Sequence, residues 1–248
     1  MRNLVGILVM LMFVPWSNAQ SVVPPNVRAT HTLDKLTDLD GINTSDILYG
    51  IPLPPGKIVG DTYLDIHWRK SSILLYENDK LIEGFPVRYD IQANEAEIKS
   101  KSGIKVLKGE KIKSFVWVDS LSKTPDYFVN AKDFRNEDNV PYTGFFQVLT
   151  EGPVPLFKKT LLEIKKADYN LQFNVGSQDD KILKKSKYYA LKDKRVLELP
   201  SSRKKLAAFF GDKAEPMEEF MRDNNLSPKG DELKIIFEHY NSLVNQTE

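Results

Sequence analysis

The strongest constraint in this sequence is a period of two. In "GFPVRYDIQANEAEIKS", Gly84 to Ser100, the residues Phe85, Val87, Tyr89 and Ile91 fall on one side and Pro86, Arg88 and Asp90 on the other. Gln92-Ala93-Asn94 supplies turn chemistry, and "EAEIKS" returns with Ile98 inward and Glu97 and Lys99 outward. The same pattern recurs in "TYLDIHW", "SSILLYENDKLI", "GIKVL", "KIKSFVWVD", "DYFVNAKDF" and "GFFQVL". In "VPLFKKTLLEIK", Val154, Leu156, Thr160, Leu162 and Ile164 are in phase, and "YYALKDKRVLELP" reads as a hairpin around Lys192-Asp193-Lys194. The runs are short, rich in β-branched and aromatic residues, and separated by only a few turn residues. Such spacing leaves no room for crossover helices, so it predicts a long antiparallel β-meander over about residues 61–200.

After Pro200 the period lengthens. "SSRKKLAAFFGD" groups Leu206, Phe209 and Phe210, with Ser201 or Ser202 as N-cap and Gly211 as a stop. "EPMEEFMRDNN" carries Met217, Phe220 and Met221, and "SPKGDELKIIFEHYNSL" sets Leu233, Ile236, Phe237, Tyr240 and Leu243 in one stripe. Strands followed by amphipathic helices predict an α+β domain in which helices at 201–245 pack on the sheet.

Ahead of the sheet the pattern is weak. Residues 20–60 are proline-punctuated and are expected to form an irregular leader. Residues 1–19 carry Arg2, an apolar run from Leu4 to Val14 and small residues at Ser17 and Ala19, the pattern of a cleaved secretory signal peptide. Arg2 is the only charged residue among them, so its removal takes the formal net charge from +1 to zero. A balanced chain has no overall pull toward nucleic acid. No later run is long enough to predict a membrane helix after signal cleavage. The absence of cysteine excludes a disulfide framework, thiol catalysis and cysteine-ligated zinc.

The order of "LLYENDKLIEGFPVRYDIQANEAEIKSKSGIKVL", "GFFQVLTEGPVPLFKKT", "YYALKDKRVLELPSSRKKLAAFFGD" and "FMRDNNLSPKGDELKIIFEHYNSL" resembles a group of exported β-rich proteins of the Bacteroidota. These share an Arg-Tyr-Asp strand, a long meander and closing helices. Arg88-Tyr89-Asp90, Arg203-Lys204-Lys205 and Tyr240-Asn241 keep that order here. The resemblance implies an envelope location and carries no activity or catalytic residue.

Candidate functional residues are few. His31, His67 and His239 show no metal-ligand spacing, and neither a Gly-x-Ser-x-Gly elbow nor a phosphate-cradling glycine pattern occurs. "NVGSQDDK" has acids in a turn but lacks the ligand alternation of a calcium loop. No catalytic, cofactor-binding or metal-ligating residue is therefore assigned, and no cofactor is expected. Asp65 and His67 share one face of "TYLDIHW", a pairing that could orient an imidazole, against the plainer expectation of a surface or half-buried histidine beside Trp68. Arg88 and Asp90 lie on the polar side of their strand, where cross-strand partners are expected; with that side covered they would become a buried structural ion pair. Lys158, Lys159, Lys184, Lys185, Lys204 and Lys205 would form a basic patch if they share a face, against the plainer expectation of solvated lysines guarding strand edges. Trp68, Trp117, Phe145, Phe146, Tyr188 and Tyr189 are expected in the sheet–helix core or around a pocket.

These features point to an exported protein of the periplasm, cell surface or exterior, acting as a non-enzymatic binding or assembly module with an envelope protein partner. The alternative is a carrier of a lipid or other apolar ligand, held in a curved sheet under a helical lid. A hydrolase built on Asp65 and His67 ranks third.

Overall fold

A computed structural model describes residues 56–118, 125–170 and 172–245 of the chain. The signal peptide expected at 1–19 and nearly all of the leader at 20–60 lie outside the described residues. The architecture is α+β, an 11-stranded sheet followed by helices. The strands are β1 (Ile58–Val59), β2 (Arg69–Leu75), β3 (Leu81–Asp90), β4 (Glu95–Ser100), β5 (Gly103–Lys108), β6 (Ile112–Val118), β7 (Pro125–Asn130), β8 (Phe145–Thr150), β9 (Leu156–Lys165), β10 (Asp180–Lys192) and β11 (Arg195–Glu198). The helices are α1 (Arg203–Phe209), α2 (Ala214–Asp223) and α3 (Glu232–Asn245).

The strand order is β1-β10-β9-β8-β7-β6-β2-β3-β4-β5, with β11 also paired to β10. Neighbours are antiparallel except β1, which lies parallel to the start of β10. The meander is thus interrupted once, where β6 joins β2 rather than β5. In a flat sheet β5 would lie about 19 Å from β6, four strand spacings away. Only Gly109–Lys111 connects them, a reach of at most about 15 Å, so the sheet folds back on itself.

The fold occurs along β3. Its first part pairs with β2 and its last four residues, Val87 to Asp90, pair with β4. A register shift at Ser71/Ser72 faces Gly84, whose φ of 78° glycine adopts without strain. The end of β3 with β4 then covers one face of β2, β6, β7 and β8. Ile73, Val87, Tyr89, Ile112, Phe115 and Phe145 fill the space between. The Asn130 amide fixes the short connection, donating to Gly109 O at 2.9 Å and Ile112 O at 2.6 Å.

Farther along the same face, the helices cover Leu156 of β9 and Ala190 of β10 with Leu206, Met217, Met221, Ile236 and Phe237. Asn241 of α3 is 5% exposed. It accepts from Val154 N at 2.9 Å and donates to Val154 O at 3.1 Å and Glu151 O at 3.3 Å. The opposite face of the sheet holds a third cluster, Ala131, Phe146, Phe157, Tyr189 and Val196, with Phe134 and Tyr142 against it.

One expected strand takes a different form. "TYLDIHW" makes a single bridge, Tyr63 to Asp90, instead of a strand. Its aspartates compete for the backbone: Asp61 accepts from Tyr63 N at 3.0 Å and Asp65 from His67 N at 2.9 Å, and each local turn breaks a ladder. The segment becomes a strap along the end of β3, held by Leu64 N to Tyr89 O at 2.8 Å and Ile91 N to Thr62 O at 2.9 Å.

Candidate functional site

The folded-over end of β3 and the helices cover separate parts of one sheet face, and beside the β3 end lies a cleft of about 550 Å³. Alternation along β9 places Lys158, Thr160, Leu162 and Ile164 on its floor beside Ile182 of β10 and Gln147 of β8. Leu64 of the strap, Ile91 and Asn94 form the facing wall, and Thr143–Gly144 borders it. Phe128 and Phe145 close the bottom. At the junction, Tyr89 donates its hydroxyl to Asn94 Oδ1 at 2.7 Å. Burial, and then the charge of Asp90, push the Tyr89 phenol well above its ordinary pKa, so it remains a neutral donor.

The cleft is apolar where the strands run out from under both covers. Ile164 keeps 51% of its surface exposed, beside Leu162 and Ile182. Two lysines and no aspartate or glutamate are among its described lining residues. Of these, Lys159 sends its side chain to the opposite face, where Nζ lies 5.2 Å from the Tyr142 ring centroid and 5.6 Å from that of Phe146. Burial pushes the Lys159 amine down to about 8. Lys158, on the cleft side, makes no ion pair or hydrogen bond among the described residues.

The six lysines considered as a basic patch do not share a face. Lys158 and Lys159 diverge as above. Lys184 pairs with Asp61 at 2.7 Å on the cleft face, whereas Lys185 points to the other face and pairs with Glu163. Lys204 and Lys205 are exposed on α1. Neighbours in a strand point to opposite sides, so a Lys-Lys dipeptide divides its charge between two surfaces.

Arg88 and Asp90 do not pair with each other. Arg88 Nε donates to Glu97 Oε2 at 2.6 Å, directly across the β3–β4 ladder. Its guanidinium carbon lies 4.0 Å from the Tyr63 ring centroid and 4.6 Å from that of Trp68. Asp90 accepts from Thr62 Oγ1 at 2.7 Å and Ala93 N at 2.9 Å. Residues i and i+2 of a strand sit about 6.6 Å apart, whereas directly opposed side chains sit nearer 5 Å, so the cross-strand carboxylate wins.

Asp65 and His67 meet, with Nδ1 2.8 Å from Oδ1. Arg69 also donates to Asp65, at 2.6 and 2.9 Å. Burial opposes ionisation of Asp65, but the His67 N–H, the Arg69 guanidinium and the His67 ring favour the carboxylate more, holding it below its ordinary range. The His67 side chain is 74% exposed, and neither residue lines the cleft. The acids of "NVGSQDDK" are likewise occupied: Asp179 accepts from Lys57 N at 2.8 Å, and Asp180 from Lys166 Nζ and Ala167 N, each at 2.8 Å.

The aromatics divide among three clusters. Trp117 and Phe145 lie under the folded-over β3 end, Tyr188 against the helices, Phe146 and Tyr189 on the reverse face, and Trp68 beside Arg88. Among the described residues no helix is long and apolar enough to cross a membrane. Comparison with protein-family models, with curated proteins and with solved structures finds no match for the chain.

Proposed function

We propose that this is an exported binding protein of the cell envelope that holds a small, largely apolar ligand in the cleft between the β3 end and strands β8–β10. The observation that carries this reading is the apolar floor of Leu162, Ile164 and Ile182, which belongs to neither the cluster under the helices nor the cluster under the β3 end. At about 550 Å³ the cleft has the size of ordinary small-molecule sites, apolar walls with a few polar groups. Export rests on the pattern of residues 1–19.

Binding of the neutral dye Nile red to the purified chain tests the reading, with native mass spectrometry of gently purified protein alongside. Saturable binding, lost in a Leu162→Trp variant of unchanged circular dichroism, is the expected result. Dye fluorescence unaltered by filling the cleft, together with a protein that carries no co-purified mass, overturns it.

The assembly reading has separate support. Edge strand β5 presents Ile104 and Val106, 56% and 58% exposed, beside the Arg88–Glu97 pair. An exposed strand edge with apolar side chains is a template for a partner strand. Cross-linking through a cysteine placed at Lys105 in intact cells tests this; the absence of any discrete adduct rejects it.

A further inference from the structure

We infer that the ligand of the cleft carries an anionic head group, and that Lys158 is the residue that holds it. The inference rests on the cleft being the binding site and adds the chemical class of what it binds. The cleft-facing residues of β9, in order, are Leu156, Lys158, Thr160, Leu162 and Ile164. Leu156 is sealed under the helices, so Lys158 is the first position of the floor and Ile164 the last. They are separated by about 20 Å of strand. A ligand laid along this floor meets Lys158 at one end and Leu162 and Ile164 at the other, where the ammonium of Lys184 opposite Leu162 is already neutralised by Asp61.

Three observations give that charged end a role. Lys158 is half-buried, and a charge held partly out of water needs a partner. On β10, Lys184 pairs with Asp61 and Lys185 with Glu163, whereas Lys158 has no partner among the described residues. The described lining contains no competing carboxylate. Asp126, on the same face two strands away, is taken by Gln147 Nε2 at 2.9 Å. A half-buried ammonium facing an apolar floor, with Asp61 on that face already paired to Lys184, is complementary to a carboxylate or other anion on an aliphatic tail.

Calorimetric titration of the full chain with decanoate and with decanol, at low and moderate salt, separates the head group from the tail. The wild type is expected to bind decanoate about tenfold tighter than decanol, the strength of one charge-assisted contact. Lys158→Met is expected to remove that preference while leaving decanol affinity unchanged, and Lys158→Arg to keep it. Equal binding of the two ligands by the wild type, or an equal loss of both in Lys158→Met, overturns the role of Lys158 and leaves the cleft as an apolar site. Failure of both ligands to bind overturns the cleft reading and this inference with it.

Discussion

Arg88 Nε lies 2.6 Å from Glu97 Oε2, and Tyr63 completes the contact by donating its hydroxyl to Glu97 Oε1 at 2.9 Å. The outward face of β3 is therefore covered, and the cover is the strap Asp61–Trp68 rather than a helix. Arg88 is held on both sides, by Tyr63 and Trp68. Arg88→Ala removes a charge-assisted bond and two cation–π contacts at a site about three-quarters buried. It is expected to cost about 2–3 kcal/mol in urea denaturation. Arg88→Lys is expected to recover less than half of the loss, because an ammonium does not stack between two rings. A cost for Arg88→Ala within about 0.5 kcal/mol, the range of ordinary surface substitutions, would mean that the strap does not hold.

Asn241 ties the last helix to the β8–β9 connection through three backbone bonds. Asn241→Leu is expected to destabilise by about 1–3 kcal/mol, because Val154 N and its neighbours stay buried without a partner. Asn241→Asp is more informative. The carboxylate keeps the acceptor for Val154 N but sets a negative charge against the carbonyls of Glu151 and Val154. Burial raises the folded-state pKa of this new acid, so its penalty is full above that pKa and shrinks as pH falls through it. Thermal melts at pH 7 and pH 4.5 check this: the gap between the variant and the wild type is expected to narrow at the lower pH.

Lys159 makes the opposite kind of test. Its amine is pushed down to about 8 by burial among Tyr142 and Phe146. An unfolded lysine titrates near 10.4. Between those values the unfolded chain binds more protons than the native one, so this group adds stability as pH rises from about 8 to about 10. Below about pH 8 the penalty for its charge is fully present. Lys159→Met is expected to raise the melting temperature at pH 7, with the advantage over wild type declining by pH 9.5. An advantage that does not change with pH would place the amine in water.

What the sequence disclosed and what it withheld follow from range. The alternation in Phe85–Ile91 is local and marks the strand directly. The Asp193–Lys194 turn is also local: both residues have positive φ, 51° and 65°, the type I′ geometry of a two-residue hairpin. The stripe Leu233, Ile236, Phe237 and Tyr240 marked the buried side of α3. The partner of Arg88 was legible only as a cross-strand group: a turn at Gln92–Asn94 would set Ile98 opposite it, whereas the four-residue turn Ile91–Asn94 sets Glu97 there. The junction of β6 with β2 was not, because it depends on the fold-over of β3, which no local pattern encodes. The strap was misread because its alternation is that of a strand, while the Asx turns of Asp61 and Asp65 act against one. The cleft left one trace: Lys158 is the polar gap in the phase of Val154, Leu156, Thr160, Leu162 and Ile164.

Ser71 and Trp117 oppose each other across β2 and β6 inside the first core, 3% and 4% exposed. Neither Ser71 Oγ nor Trp117 Nε1 has a hydrogen-bond partner among the described residues. A buried hydroxyl without a partner carries its desolvation cost and returns nothing. Ser71→Ala removes that cost while deleting only one atom from the packing. The variant is therefore expected to be as stable as wild type or more stable, by up to about 1 kcal/mol. The check is a shift of the urea midpoint at unchanged slope, which separates a change in stability from a change in the unfolded ensemble. A loss of more than about 1 kcal/mol would mean that the Ser71 hydroxyl is bonded in solution. Trp117→Phe, which removes the second unpartnered group but also part of the tilted ring contact with Phe128 at 5.1 Å, is expected to lose stability despite the same gain. The opposite signs of the two variants distinguish relief of an unpaired group from loss of packing.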